Sequence, residues 1–219
     1  ATKGWLSTAA AKASDITEGP SFVTATGGTI TTSGNFKIHT FTGPGTFTVS
    51  NAGNSSGSNS VDYMVIAGAG AGGGGRGCGG GGAGGFRESS GAASGCYSAS
   101  PLGSGVSALP VTAQGYPITV GSGGVGQGTP GPEGNSRQGT PGSNSVFSTI
   151  TSAGGGGGNG CGPSGSPNAV AGQPGGSGGG GGTGASGPNQ TAGGTGNTPP
   201  VSPPQGNNGG SGTPINTSP

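Results

Sequence analysis

The sequence predicts a mainly β protein: a small antiparallel β domain followed by packed polyglycine or polyproline-II-type helices, with irregular glycine-rich connections. Composition is the first reason. Of 219 residues, 61 are glycine and 18 are proline. The second is order along the chain, because glycine tracts repeatedly follow short apolar, β-branched segments. The third is that only residues 6–13 have a helix-favouring composition. Glycine loses more backbone entropy on folding than any other residue and brings no side chain to bury. Such a chain either stays open or packs backbone against backbone. An extended helix of three residues per turn allows the second outcome, because glycine lets neighbouring chains approach closely.

Residues 1–20 read as an attachment arm or short helix, too short to be stable alone. Residues 21–70 carry the β signals of a small antiparallel domain. Phe22–Thr26 and Thr29–Thr32 flank Gly27-Gly28 and are expected to pair as a hairpin. Phe36–Thr42 and Thr46–Ser50 flank Gly43-Pro44-Gly45 and are expected to form a second hairpin. Val61–Ala67 is the most apolar segment and the expected central strand. Residues 71–185 read as a glycine-rich layer with interspersed strands, among them Tyr116–Val120 and Val146–Thr151. Strand followed by glycine tract thus recurs at 61–75, 116–124 and 146–158. Residues 186–219 form a Pro/Gly/Asn-rich tail, expected to be extended at Thr198–Pro204 because proline fixes φ and has no amide donor.

Composition also excludes several functions. Collagen is excluded because residues 89–99 and 109–116 break any Gly-X-Y register. Only 5% of residues are charged and the net charge is +1, so there is no electrostatic footprint for nucleic acid. No segment approaches the roughly 20 apolar residues of a membrane span. Cys78, Cys96 and Cys161 have neither zinc-site spacing nor an even count. Small buried thiols are expected, with a Cys78–Cys161 bridge as the alternative.

One motif looks like chemistry. Gly68-x-Gly70-x-x-Gly73 follows a strand, as in a dinucleotide-binding turn. That turn needs a helix to start beside it, and residues 71–85 cannot form one. The motif reads as a decoy. The single histidine, His39, lies in an alternating strand and reads as a sheet-surface residue. The five acids form no pair beside a base. An enzyme, a cofactor and a metal site are therefore not expected. Phe86 reads as a cap on the glycine layer with Arg87 and Glu88 solvated, or alternatively as part of a contact surface. Tyr97, Tyr116 and Arg137 are the other groups expected to be exposed and able to stack or bond.

The order of elements in Phe36–Ser50, Val61–Gly75, Gly79–Arg87, Tyr116–Gly124 and Ser143–Gly158 resembles the glycine-rich domain of bacteriophage tail-fibre and virion proteins. The resemblance implies a non-enzymatic virion structural protein, a fibre or tail appendage that contributes to host attachment. It implies contact with other virion proteins through the N-terminal arm, a homotrimer, and a host surface receptor or glycan as partner. It implies a virion location, extracellular after release. Arg76, Phe86, Arg87 and Tyr97 are the loop positions it marks for surface contact. A capsid decoration protein anchored by its arm, and a bacterial surface filament protein, are the alternatives.

Overall fold

The computed structural model describes residues 18–75, 77–91, 100–101, 105–126, 137–160, 170–182 and 191–212. The expected helix or arm lies outside these residues, apart from its last three. Among the described residues there are eleven strands and no helix. Strands β1 (Val23–Thr26), β4 (Gly45–Ala52), β9 (Gly115–Thr119), β10 (Ser145–Phe147) and β11 (Ile150–Ser152) form one antiparallel sheet in that order. Strands β2 (Thr29–Ser33) and β3 (Phe36–Thr40) form a separate ribbon. Two further ribbons join β5 (Ser60–Val61) to β8 (Leu109–Pro110), and β6 (Met64–Ile66) to β7 (Phe86–Glu88). Strands from beyond residue 70 thus complete the sheet that β1 and β4 begin.

Side chains hold this part together. Alternation in β4 buries Phe47 and Val49. Phe47 faces Tyr116 across the β4–β9 pair. Phe147 meets both rings edge-on, with centroids 5.9 and 6.2 Å away. Val65, Val111 and Ile150 close the cluster. The Tyr116 hydroxyl accepts the Thr112 amide at 2.7 Å. Hydrogen bonding to the Thr112 side chain, then to its backbone, holds the phenol below the usual tyrosine range against the opposing effect of burial.

Several strand expectations need correction. Gly27-Gly28 does connect β1 to β2, but β1 pairs with β4 and β2 with β3. The Gly43-Pro44-Gly45 segment likewise joins strands of different sheets. The competing force is the core. Phe47 and Val49 are buried only if β4 lies between β1 and β9, and β3 then crosses to place His39 against Phe47 at 5.0 Å. Val61–Ala67 is not a central strand. Asp62 and Tyr63 break it, because Ser89 Oγ accepts the Tyr63 amide and donates to Asp62. Only Val65 of β6 points into the core, while Met64 and Ile66 remain exposed. Val146–Thr151 is a hairpin rather than one strand, turning at Ser148, whose φ is 53°.

Beyond the sheet the ladders continue with a different period. The β6–β7 pair ends at Ile66 opposite Phe86. From there the amides of Ala67, Gly70 and Gly73 donate to the carbonyls of Gly85, Gly82 and Gly79. The amides of Gly68, Ala71 and Gly74 turn to another neighbour, the carbonyls of Ser143, Thr140 and Arg137. Bonds to one neighbour therefore recur every third residue. The same step joins 79, 82 and 85 to 159, 156 and 153, and joins 172 and 175 to 192 and 195.

Residues 153–160 lie at the centre and are buried throughout. They bond to the stretches 67–75, 77–85, 137–143, 170–176 and 177–182. Buried amides in such a layer need partners; neighbouring backbone supplies those of Gly155, Gly156, Gly158 and Asn159, and the side chains of Gln205 and Asn144 those of Ala153 and Gly154. Close approach is what demands glycine here. A methyl on Gly73 would collide with the carbonyl oxygen of Asn159, and one on Gly157 with that of Gly139.

The C-terminal tail also departs from expectation. Thr198–Pro204, which contains cis bonds before Pro199 and Pro203, forms a loop rather than an extended run. Asn197 Oδ1 accepts the amides of Val201 and Gln205 at 3.1 and 3.2 Å, which draws the segment back on itself. Residues 205–212 then join the layer, as Gly178 and Gly181 donate to Asn207 and Gly210.

Candidate functional site

The bond registers fix the direction of each stretch. Residues 67–75 run antiparallel to 77–85 and to 137–143, and parallel to 153–160. Residues 153–160 run parallel to 177–182 and antiparallel to 170–176. Residues 191–197 run antiparallel to 177–182, and 205–212 antiparallel to 191–197. Consequently Gly75, Gly160, Gly182 and Gly212 all end at the side of the layer far from the sheet. Residues 77, 137, 170 and 191 all begin there. The described chain thus reaches this far end at 75, 160 and 182 and resumes from it at 77, 170 and 191.

The four candidate contact residues are not brought together. Arg76 and Tyr97 lie outside the described residues. Gly75 and Gly77, the neighbours of Arg76 in sequence, lie at the far end. Residues 91 and 100, which bracket the segment holding Tyr97, belong to the sheet end, where the Ser100 amide donates to Glu88 at 2.6 Å. Phe86 and Arg87 sit in strand β7 at the seam between sheet and layer, so they are strand residues rather than loop residues. Both are half-buried, and Phe86 stands opposite Ile66. Glu88 is buried at 7% exposure, not solvated, because it receives that Ser100 amide. Tyr116 is equally buried, since it belongs to the aromatic core. Arg137 is half-buried at the start of its stretch.

Chemistry elsewhere is sparse. His39 Nδ1–H donates to the Gly27 carbonyl at 2.8 Å and its ring packs on Phe47. No cluster of three metal-ligating side chains occurs among the described residues. No helix among them is long and apolar enough to cross a membrane. Cys78 is a free, half-buried thiol whose Sγ donates to the Gly74 carbonyl. Cys96 and Cys161 lie outside the described residues. Among the described residues no helix follows the Gly68-x-Gly70-x-x-Gly73 turn, and these three glycines pack against Ser122, Gly156 and Asn159.

Sequence reasoning missed two polar side chains that organise the layer. Gln205 is 2% exposed, accepts the Ala153 amide and donates to the Pro199 carbonyl. Asn159 is fully buried and donates to the Val170 carbonyl and to Thr191 Oγ1. Their only signal is a large amide side chain inside tracts otherwise built of small residues.

A layer of hydrogen-bonded glycine stretches, growing out of a small antiparallel sheet, defines a class of glycine-rich β protein. The chain belongs to the glycine-rich domain family, whose model matches residues 40–218. No curated protein and no solved structure matches it.

Proposed function

We propose that the chain is a non-enzymatic bacteriophage virion protein, part of a tail fibre or other surface appendage, that helps attach the particle to a host receptor or glycan. Its glycine stretches act as polyglycine-type helices. The observation that carries this reading is the direction of the stretches: residues 75, 77, 160, 170, 182 and 191 all lie at the far end. Residues 19 and 21 are instead pinned in the β part, where Asn54 accepts the Ser21 amide and donates to the Gly19 carbonyl. Anchorage through the β part and contact through the far end suit a protein held by a particle and presented to a surface. Connections carried on a rigid scaffold are where binding residues concentrate. With only 5% of its residues charged, the chain has little nonspecific electrostatic attraction of its own. Trimerisation is part of the proposal and rests on the resemblance.

The test is adsorption. Purified protein is expected to block infection of a susceptible host. Replacing 161–169 and 183–190 with Gly/Ser segments of equal length is expected to abolish the block while the fold is kept. Failure of the intact protein to bind host cells sinks the attachment reading. Imaging a tag near residue 219 on particles separates tail from capsid. Absence from particles would leave the bacterial filament reading.

A further inference from the structure

A second surface, at the sheet end, has the make-up of a sugar subsite. Where β3 passes into β4, an open depression of about 350 Å³ is lined by Thr29, Thr40, Phe41, Thr42, Pro44 and Thr46 together with four glycines. Its shape is set by backbone. Gly27 and Gly28 hold φ of 109° and 65°, which side chains rarely adopt, and His39 fastens the Gly27 carbonyl. The Phe41 ring lies against Gly28 and Gly45, where an added Cβ would sit 3.1 Å from it. Phe41 is half-buried, with its inner part against the core. The four threonines are exposed, and their hydroxyls take no hydrogen-bond partner among the described residues. No lining residue is charged.

We propose that this depression binds a neutral hexose unit of a glycan, stacked on Phe41 and hydrogen-bonded by the threonine hydroxyls. A sugar ring offers a C–H face to an aromatic and hydroxyls to its sides, which is what this lining complements. Concave sites in the range of roughly 300–1,000 Å³ with a few converging polar groups are the usual form of small-ligand pockets. The lack of any lining cation argues against uronic or sialic acids, whose carboxylates such a site could not pair. The inference concerns the sheet end and stands independently of the attachment reading, which places contact at the far end.

The experiment uses the full ¹⁵N-labelled chain, titrated with the methyl glycosides of glucose, galactose and mannose, and with methyl glucuronide as the charged control. The amides of Gly27, Gly28, Gly43 and Gly45 are expected to shift and saturate with at least one neutral glycoside. Thr42→Val, at an exposed turn position, is expected to weaken that binding about three- to tenfold with the rest of the spectrum unchanged. Phe41→Leu keeps an apolar group against the core and is expected to abolish the shifts. Three results would overturn the proposal: no shift at these amides with any neutral glycoside, shifts with the glucuronide alone, or binding that Thr42→Val leaves untouched. Adsorption blocking that persists in Thr42→Val separates this site from the far end.

Discussion

The β part and the glycine layer stabilise one chain by opposite means. In the β part Phe47, Tyr116 and Phe147 interlock, and the backbone ladders follow from where those rings are buried. In the layer, residues 153–160 are buried from end to end with scarcely a side chain among them. Backbone amides reaching five neighbours replace the core there. The two parts share a seam. The β6–β7 ladder passes from Ile66 and Phe86 directly into the bonds of Ala67 with Gly85, and the period changes from two to three. It follows that harmful substitutions have opposite character in the two parts: the β part suffers when atoms are removed, the layer when they are added.

Four substitutions sharpen that contrast. Gly157→Val is expected to have the largest effect, about 4 kcal/mol or more, because its Cβ meets a backbone carbonyl hemmed in on every side. Urea unfolding followed by layer amides should show the layer lost while β-sheet amides persist. If Gly157→Val folds with an unchanged midpoint, close backbone packing is wrong. Phe47→Ala comes next at about 3–5 kcal/mol, the range for removing a buried ring. Calorimetry should record a matching fall in Tm; a loss below about 1 kcal/mol would mean the aromatic cluster is not the core.

Gln205→Ala leaves the Ala153 amide and the Pro199 carbonyl without their partner, at about 1–3 kcal/mol. Hydrogen exchange should localise that loss to residues 197–212 and the Ala153 amide. Smallest is Gly80→Ala. A Cβ there meets nothing within 4 Å, so the effect should stay within about 0.5 kcal/mol and can be stabilising through the unfolded chain. Comparing Gly80→Ala with Gly157→Val isolates packing from glycine content. Equal effects at the two sites would refute the contrast.

Much of this division was legible in the sequence. The three joints at 61–75, 116–124 and 146–158 are where strands β6, β9 and β11 hand over to glycine stretches. That no helix follows the dinucleotide-like motif among the described residues was legible, because the glycines of 71–85 disfavour one. Strand partnership was not legible. Gly27-Gly28 and Gly43-Pro44-Gly45 look like hairpin turns, yet the choice between local and distant pairing was made by Phe47 needing Tyr116 opposite it. That Phe86 and Arg87 sit at the seam was also hidden, since the stretch 77–85 carries the chain there from the far end. Gln205 and Asn159 gave little sign, because their importance comes from neighbours far along the chain.

Amide hydrogen exchange measured residue by residue tests the backbone-packed layer most directly. The amides of Gly155, Gly156, Gly158 and Asn159 are expected to exchange as slowly as those of the β4–β9 ladder. In residues 67–74, Ala67, Gly68, Gly70, Ala71, Gly73 and Gly74 should be protected, while Ala69 and Gly72, exposed and without a hydrogen-bond acceptor among the described residues, should exchange fast. Uniformly rapid exchange through 68–85 and 153–182, with protection confined to the sheet, would contradict the account.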